Sequence, residues 1–236
     1  KEDLSRRLDP SMNIMQGINA QIKKSQKRVV FAEGEDPSIL KAAVAFKNSK
    51  LGIPILIGKE EKIKEQLRSI GLDEDFKIEI VSSKNTEQRK KYTKHLYKKL
   101  QRSGMLEREC DHLVRNDRVT WGSCMLACGD ADAMVTGGTR HHAATIEKLN
   151  KVVESRPGEI IFGLTMLVSK GRTVFVADTN VHDNPTAEQL VEIAISSTRV
   201  ARLFGFDPKV AFLSHSTFGK PATVRTKHVR EAIELM

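Results

Sequence analysis

Short apolar runs alternate along the chain with longer stretches of helical period. Val29-Val30-Phe31-Ala32 has the composition of a strand buried on both faces. The run stops at Glu33-Gly34-Glu35-Asp36-Pro37, after which Ile39, Leu40, Ala43, Val44 and Phe46 recur at helical spacing. Asp36 can cap the first N–H groups of that helix, and Pro37 suits its first position. The cycle repeats with a strand at 53–57, a helix at 59–70 closed by Gly71, and a strand at 77–81. Helices over 88–102 and 119–128 follow, then a strand at Ala133-Met134-Val135-Thr136 and a helix from Ala144 to Glu154.

The pattern changes after Arg156-Pro157-Gly158. Strands are expected at 160–168 and 173–177, joined by a hairpin-like Ser169-Lys170-Gly171-Arg172. Leu190, Ile193, Ala194, Ala201 and Phe204 then line one face of a helix over 186–204, started by Asn184-Pro185 and ended by Gly205. A strand at 209–213, a small-residue loop at 214–222 and a final helix from Val224 complete the pattern. Strands alternating with helices predict an α/β fold with a mainly parallel sheet and helices on both faces. The expected organisation is a connector over 1–27, holding a short amphipathic piece around Met12 to Ile22, a first α/β lobe over 28–156, and a second over 157–236. The chain does not begin with Met, and its last helix has neither a cap nor a following strand. A piece of a longer polypeptide, truncated at the C-terminus, is therefore expected.

Length and composition narrow the class. At 236 residues, with 39% hydrophobic and 29% charged, the chain can bury a core. No apolar run approaches the roughly 18–20 residues that span a bilayer, and no signal peptide opens the chain, so no membrane partner is expected. The formal net charge of +9 raises a nucleic-acid reading. Much of the excess lies between Lys84 and Arg102, where Tyr92, Leu96 and Leu100 recur at helical spacing and leave the lysines on solvated faces. With no aromatic interleaving and no zinc or helix-turn-helix spacing, no nucleic-acid partner is expected. Cys110, Cys124 and Cys128 lack metal-ligand spacing; Cys124 and Cys128, four apart on a helix, read as a pair of small buried residues rather than a redox or zinc pair, and a reducing, cytoplasmic compartment fits.

Ligands of open α/β sheets bind at the carboxyl ends of the strands. Three loops leave strands at such ends: 136–142, 178–184 and 214–220. In the first, Gly137 and Gly138 would let backbone N–H groups approach a phosphate, with Thr139 beside them, Arg140 to pair with it and a helix start close behind. The last offers the hydroxyls of Ser214, Ser216 and Thr217, then Gly219 and Lys220, ahead of another helix. Neither is a Walker loop or a dinucleotide fingerprint, and strand-to-helix turns need Gly and Ser for geometry in any case. His141, His142, His182 and His215 read as hydrogen-bonded loop residues, with a metal cluster as the alternative. Asp178 and Asp183 are candidate bases, and Asp183 is equally placed to cap a helix.

Four segments carry a resemblance. Phe31-Ala-Glu-Gly-Glu-Asp36 resembles "PEGED", and Asp132-Ala-Met-Val-Thr-Gly-Gly138 resembles "ADGLVSGA". Asp183-Asn-Pro-Thr-Ala-Glu-Gln-Leu190 resembles "NPTAEQLAEIA", and the segment from Pro208 to Gly219 resembles "PKVAMLSYSTKG". Together, in order, they resemble the phosphate acetyl/butyryltransferase family from about Lys27 to Met236. The resemblance implies two α/β lobes with a cleft between them, as in the isocitrate dehydrogenase architecture, and a coenzyme A thioester as ligand.

Other segments are similar to the carboxy-terminal domain of long bacterial NADP-dependent malic enzymes. They are Arg7-Leu-Asp-Pro10, the run from Lys27 to Gly34, Val114-Arg-Asn-Asp117, Thr136-Gly-Gly-Thr-Arg140 and the run from Gly171 to Thr179. That resemblance implies a regulatory, acetyl-CoA-sensing domain that helps form a homodimer or larger homo-oligomer, with NADP and a divalent metal held by an upstream malic domain. It implies ligand contacts at Gly137, Gly138, Thr139, Arg140, Ser214, Ser216, Thr217, Gly219 and Lys220. No catalytic and no metal-ligating residue is assigned.

Two departures set the chain apart from working transferases. Where they carry an arginine followed by proline in the helix after the "SGA" loop, this chain has Glu147, a charge reversal at a position suited to anions. The "STKGSA" segment reads Ser216-Thr-Phe-Gly-Lys-Pro221, which loses one lysine and gains Lys220. The resemblance implies that the family's catalytic Ser-Arg pair and Asp would fall in a segment beyond Met236. The competing expectations are an active phosphate acetyltransferase and a purely structural oligomerisation module.

Overall fold

The computed structural model of the chain describes residues 10–72, 76–169, 172–217, 220 and 222–236. In chain order the elements are α1 (Pro10–Lys24), β1 (Arg28–Phe31), α2 (Pro37–Asn48), β2 (Ile53–Ile57), α3 (Glu60–Ser69), β3 (Glu79–Val81) and α4 (Thr86–Leu100). After a single 3-10 turn come α5 (Glu107–Asn116), α6 (Arg118–Ala127), β4 (Ala133–Val135), α7 (His142–Val152), β5 (Leu164–Ser169), β6 (Arg172–Ala177), α8 (Ala187–Leu203) and α9 (Val224–Leu235). The chain divides into two compact units. One is Asn19–Glu154, and the other takes in Ser155–Met236.

The first unit is built on a four-stranded sheet of order β3-β2-β1-β4, parallel throughout. Its strands are short apolar runs because both faces are covered. Val30, Ile55 and Ile57 join Tyr92, Leu96, Cys110, Val114, Trp121 and Cys124 on one side. Phe31 and Leu56, one residue out of phase, join Leu40, Ala43, Ile63 and Leu67 on the other. Burying each such aliphatic side chain contributes about 1.5–3 kcal/mol relative to leaving it exposed. Tyr92 meets the Trp121 ring edge-on, centroids 5.0 Å apart, and its hydroxyl donates to Asp130 at 2.9 Å. The α/β class and the parallel sheet expected from the sequence are borne out here. The strand order runs outward from β1 to β3, then returns to place β4 on the far side of β1. That reversal makes the carboxyl ends of β1 and β4 the topological switch point of the sheet.

Capping explains where most helices begin. Asp36 accepts the Ser38 and Ile39 N–H groups at 2.9 and 3.1 Å, and Asn85 accepts the Gln88 N–H at 3.2 Å. Helix α5 was not expected from the pattern. Its start is held by the Glu109 carboxylate, which accepts the Leu106 N–H at 2.8 Å.

In the second unit, β5 and β6 form an antiparallel hairpin in register from Leu164↔Ala177 to Ser169↔Arg172. Phe175 on β6 packs against Phe204 and Phe206, with centroids 6.0 and 5.5 Å away. Helix α8 starts at Thr186 rather than at Asn184-Pro185. Thr186 Oγ1 accepts the Gln189 N–H at 3.3 Å, and Gln189 Oε1 accepts the Thr186 N–H at 2.9 Å. Gly205, at φ +82°, ends it. The strand expected over 209–213 does not form: the segment has no ladder partner among the described residues, and Leu213 is 85% exposed. An apolar run is a strand only where a neighbour supplies the other half of the ladder.

Candidate functional site

The loops leaving β1 and β4 meet at the switch point of the first unit. Glu33, 3% exposed, turns its carboxyl toward the 136–140 loop. Its Oε1 accepts the Gly137 N–H at 3.0 Å and the Thr136 hydroxyl at 3.3 Å, while Oε2 is buried without a hydrogen-bond partner. Gly137 sits at φ +101°, a conformation that favours glycine. A Cβ on Gly138 would stand 2.9 Å from Ile39 Cδ1, so this residue lets the loop lie against α2. Thr139 is exposed. The two glycines thus have structural reasons of their own, and the N–H of Gly137 is already bonded to a carboxyl group.

Arg140 is bonded as well. Its Nη1 donates at 3.0 Å to Asp117 Oδ2, which also accepts from Lys148 Nζ on α7. Asp117 caps α6 through its other oxygen, which takes the Val119 and Thr120 N–H groups at 2.8 and 3.2 Å. Burial pushes the Asp117 carboxyl upward, but hydrogen bonds from Lys148, the Thr120 N–H and Arg140 outweigh it and hold the group below the usual aspartate range. Beside this trio, Glu35 accepts the Lys59 N–H at 2.8 Å and pairs with Arg118 at 2.7 Å, tying the loop after β1 to the loop after β2 and to α6. The rim of this sheet therefore carries several cations, and Arg118, Arg140 and Lys148 each face a carboxylate of the same unit. Glu147 turns outward on α7 and pairs with Lys151 at 2.8 Å.

The loop from Ser214 to Lys220 lies in the second unit. Ser214 Oγ and Ser216 Oγ are 3.0 Å apart, and the Ser216 N–H donates to Ser214 Oγ at 3.3 Å. Thr217 and Lys220 exchange two backbone hydrogen bonds of 3.1 Å. Ser214, Thr217 and Lys220 are exposed, and Gly219 lies outside the described residues. The hydroxyls of this loop face solvent and each other, in contrast to the 136–140 loop.

The third candidate loop is held from within. Asp178 accepts the Gly163 N–H at 2.6 Å through Oδ1; its Oδ2 accepts the His182 N–H at 2.8 Å and stands 2.7 Å from His182 Nδ1. Both oxygens of this candidate base are engaged. A Cβ on Gly163 would come within 2.3 Å of the Thr179 carbonyl oxygen, so only glycine fits that crossing. The cap proposed for Asp183 is supplied by Thr186 instead. Among the described residues no group of three His, Cys, Asp or Glu side chains is placed to hold a metal ion, and no helix is long and apolar enough to cross a membrane. Reading the sequence missed Glu33, Asp117 and Lys148. The first two lie inside segments noted for their resemblance, so the motifs were the available signal.

The chain matches the family model for phosphate acetyl/butaryl transferase over residues 13–236. It is 39% identical over its whole length to an NADP-dependent malic enzyme of Rhizobium meliloti and 35% identical to a probable one of Rickettsia prowazekii. It spans 31% of the length of each. It is also 34% identical, over 86% of its own length and 29% of the relative's, to a phosphate acetyltransferase of Nitratidesulfovibrio vulgaris. Among solved structures, a phosphotransacetylase from Streptococcus pyogenes superposes with a TM-score of 0.83 at 26% identity, covering 95% of this chain and 68% of that one. Motifs, fold and match agree: the chain belongs to the phosphate acetyl/butaryl transferase family, in a form that recurs within bacterial NADP-dependent malic enzymes.

Proposed function

We propose that this chain is a regulatory, acetyl-CoA-binding and oligomerising domain of an NADP-dependent malic enzyme, which decarboxylates malate oxidatively to pyruvate. The observation that carries the reading is the likeness, over the whole chain, to malic enzymes of whose length it spans 31%. Glu147, where transferases carry an arginine, supports binding without transfer. In this reading NADP and a divalent metal belong to the malic half, and no residue of this chain is assigned to them. The candidate ligand contacts are Gly137, Gly138, Thr139 and Arg140, and Ser214, Ser216, Thr217, Gly219 and Lys220. The exposure of Ser214 and Thr217 supports the second set. For the first, Arg140 is the main contributor, because its side chain is partly exposed and charged although paired with Asp117, whereas the Gly137 N–H is held by the buried Glu33. A thioester that binds one state of a homo-oligomer better than another shifts the malic site by that difference, typically ~1–3 kcal/mol.

Calorimetric titration with acetyl-CoA tests the reading. Heat with the wild type and weaker binding by Arg140→Ala are expected; no heat with the wild type ends the claim. The 34% identity to a phosphate acetyltransferase favours a second reading, in which the chain's parent still exchanges acetyl groups between CoA and phosphate. Release of free thiol from acetyl-CoA on addition of phosphate would establish it.

A further inference from the structure

Two cations converge on one oxygen at the start of α6. We propose that Arg140 and Lys148 form a phosphate-binding pair that the Asp117 carboxylate holds closed until a phosphate displaces it. The proposal deepens the ligand reading of Arg140 and rests on it for the identity of the molecule that carries the phosphate.

Three features of the geometry argue for exchange. First, Asp117 divides its oxygens: Oδ1 takes the Val119 and Thr120 N–H groups, and Oδ2 alone takes both cations. The cations can therefore leave without uncapping α6. Second, the side chains of Arg140 and Lys148 are 33% and 31% exposed, and that of Asp117 is 9% exposed. An anion arriving from solvent meets the cations first, with the carboxylate behind them. Third, two positive charges share one negative charge on one oxygen. A phosphate carries roughly −1.5 to −2 charges and three or more acceptor oxygens, so each cation can take an oxygen of its own. A halide offers no such division.

The carboxylate that remains behind opposes the incoming phosphate, so it sets the affinity. The nearby Gly137 N–H gives no alternative subsite because Glu33 occupies it.

The test is titration of the full chain with inorganic phosphate and, separately, with acetyl-CoA. Asp117→Asn and Asp117→Ser both keep an acceptor for the α6 N–H groups and remove the charge. Each is expected to tighten phosphate binding roughly tenfold or more. Adding Lys148→Met to Asp117→Asn is expected to abolish the gain, and chloride at equal ionic strength to show none. Tighter phosphate with unchanged acetyl-CoA binding would support the latch, assign it to free phosphate and count against a thioester-borne phosphate here. Acetyl-CoA binding by the wild type, with neither ligand tightened in either Asp117 variant, would overturn the latch and leave the acetyl-CoA reading standing.

Discussion

The two units place their apolar residues differently. In Asn19–Glu154 the large side chains are inside: Trp121, Tyr92, Leu40, Ile55, Leu56, Ile63 and Leu96 are all at most 1% exposed. In the unit that takes in Ser155–Met236 the buried hydrophobics are smaller and fewer, chiefly Ala187, Ile193, Ala194, Ala201 and Ala232. Larger ones stay open there: Leu203 is 81% exposed, Met236 58%, Leu167 54% and Val174 53%. Leu167 and Val174 face each other across the hairpin on one side of it. Polar groups follow the same division. The 136–140 loop is fastened by Glu33 and Asp117, while in the 214–220 loop the bonds seen among the described residues run within the loop. A unit with a closed core and internal counter-ions is expected to keep its shape as ligands come and go. One with open apolar surface and exposed hydroxyls draws more of its order from what it touches.

The largest effect should come from opening the closed core. Trp121→Ala removes the ring on which Tyr92 packs and is expected to cost about 3–5 kcal/mol, read by urea denaturation followed by far-UV circular dichroism. A loss below ~1 kcal/mol would break the contrast between the units.

A middle effect should appear in acid. For Asp130 as for Asp117, burial raises the carboxyl but is outweighed, here by hydrogen bonds from Lys91 and the Tyr92 hydroxyl, so the folded value lies below the unfolded one. A depressed carboxylate contributes stability that is complete above its unfolded pKa, about 3.9, and lost as pH falls through the folded value. Stability of the first unit should thus fall off below about pH 4, and Asp130→Asn should flatten that fall. An acid limb of the same steepness in the variant would show that these pairs do not set it.

The smallest effect belongs to the open surface. Leu203→Ser should change the stability of dilute protein by no more than about 0.5 kcal/mol. A large loss that grows with protein concentration would instead show Leu203 covered by a second copy.

Much of the fold was legible because it is local. The runs at Val29–Ala32 and Ile53–Ile57 read as strands from their apolar composition, and Gly71 and Gly205, both at positive φ, lie at helix ends. Helix α5 escaped notice because Cys110, Leu113 and Val114 are few among charges, and its capping group is a glutamate inside the helix. The segment 209–213 misled for the opposite reason: it is apolar, but pairing is not a local property. The candidate site was legible only as loops. Nothing in the spacing tells that Gly137 bonds a carboxyl group 104 residues earlier in the chain, or that Arg140 and Lys148 meet on Asp117. Partners at that separation are set by strand order, which brings β1 and β4 together only once the sheet exists.

The edge-on Tyr92–Trp121 pair has an optical consequence. Trp121 is the chain's single tryptophan, and Tyr92 and Tyr97 are its two tyrosines, so every strong near-ultraviolet chromophore lies in one unit. Tryptophan emission follows the melting of that unit alone, while the other, which has only phenylalanines, is dark. A fluorescence transition that lags behind the loss of far-ultraviolet ellipticity would mark the dark unit letting go first.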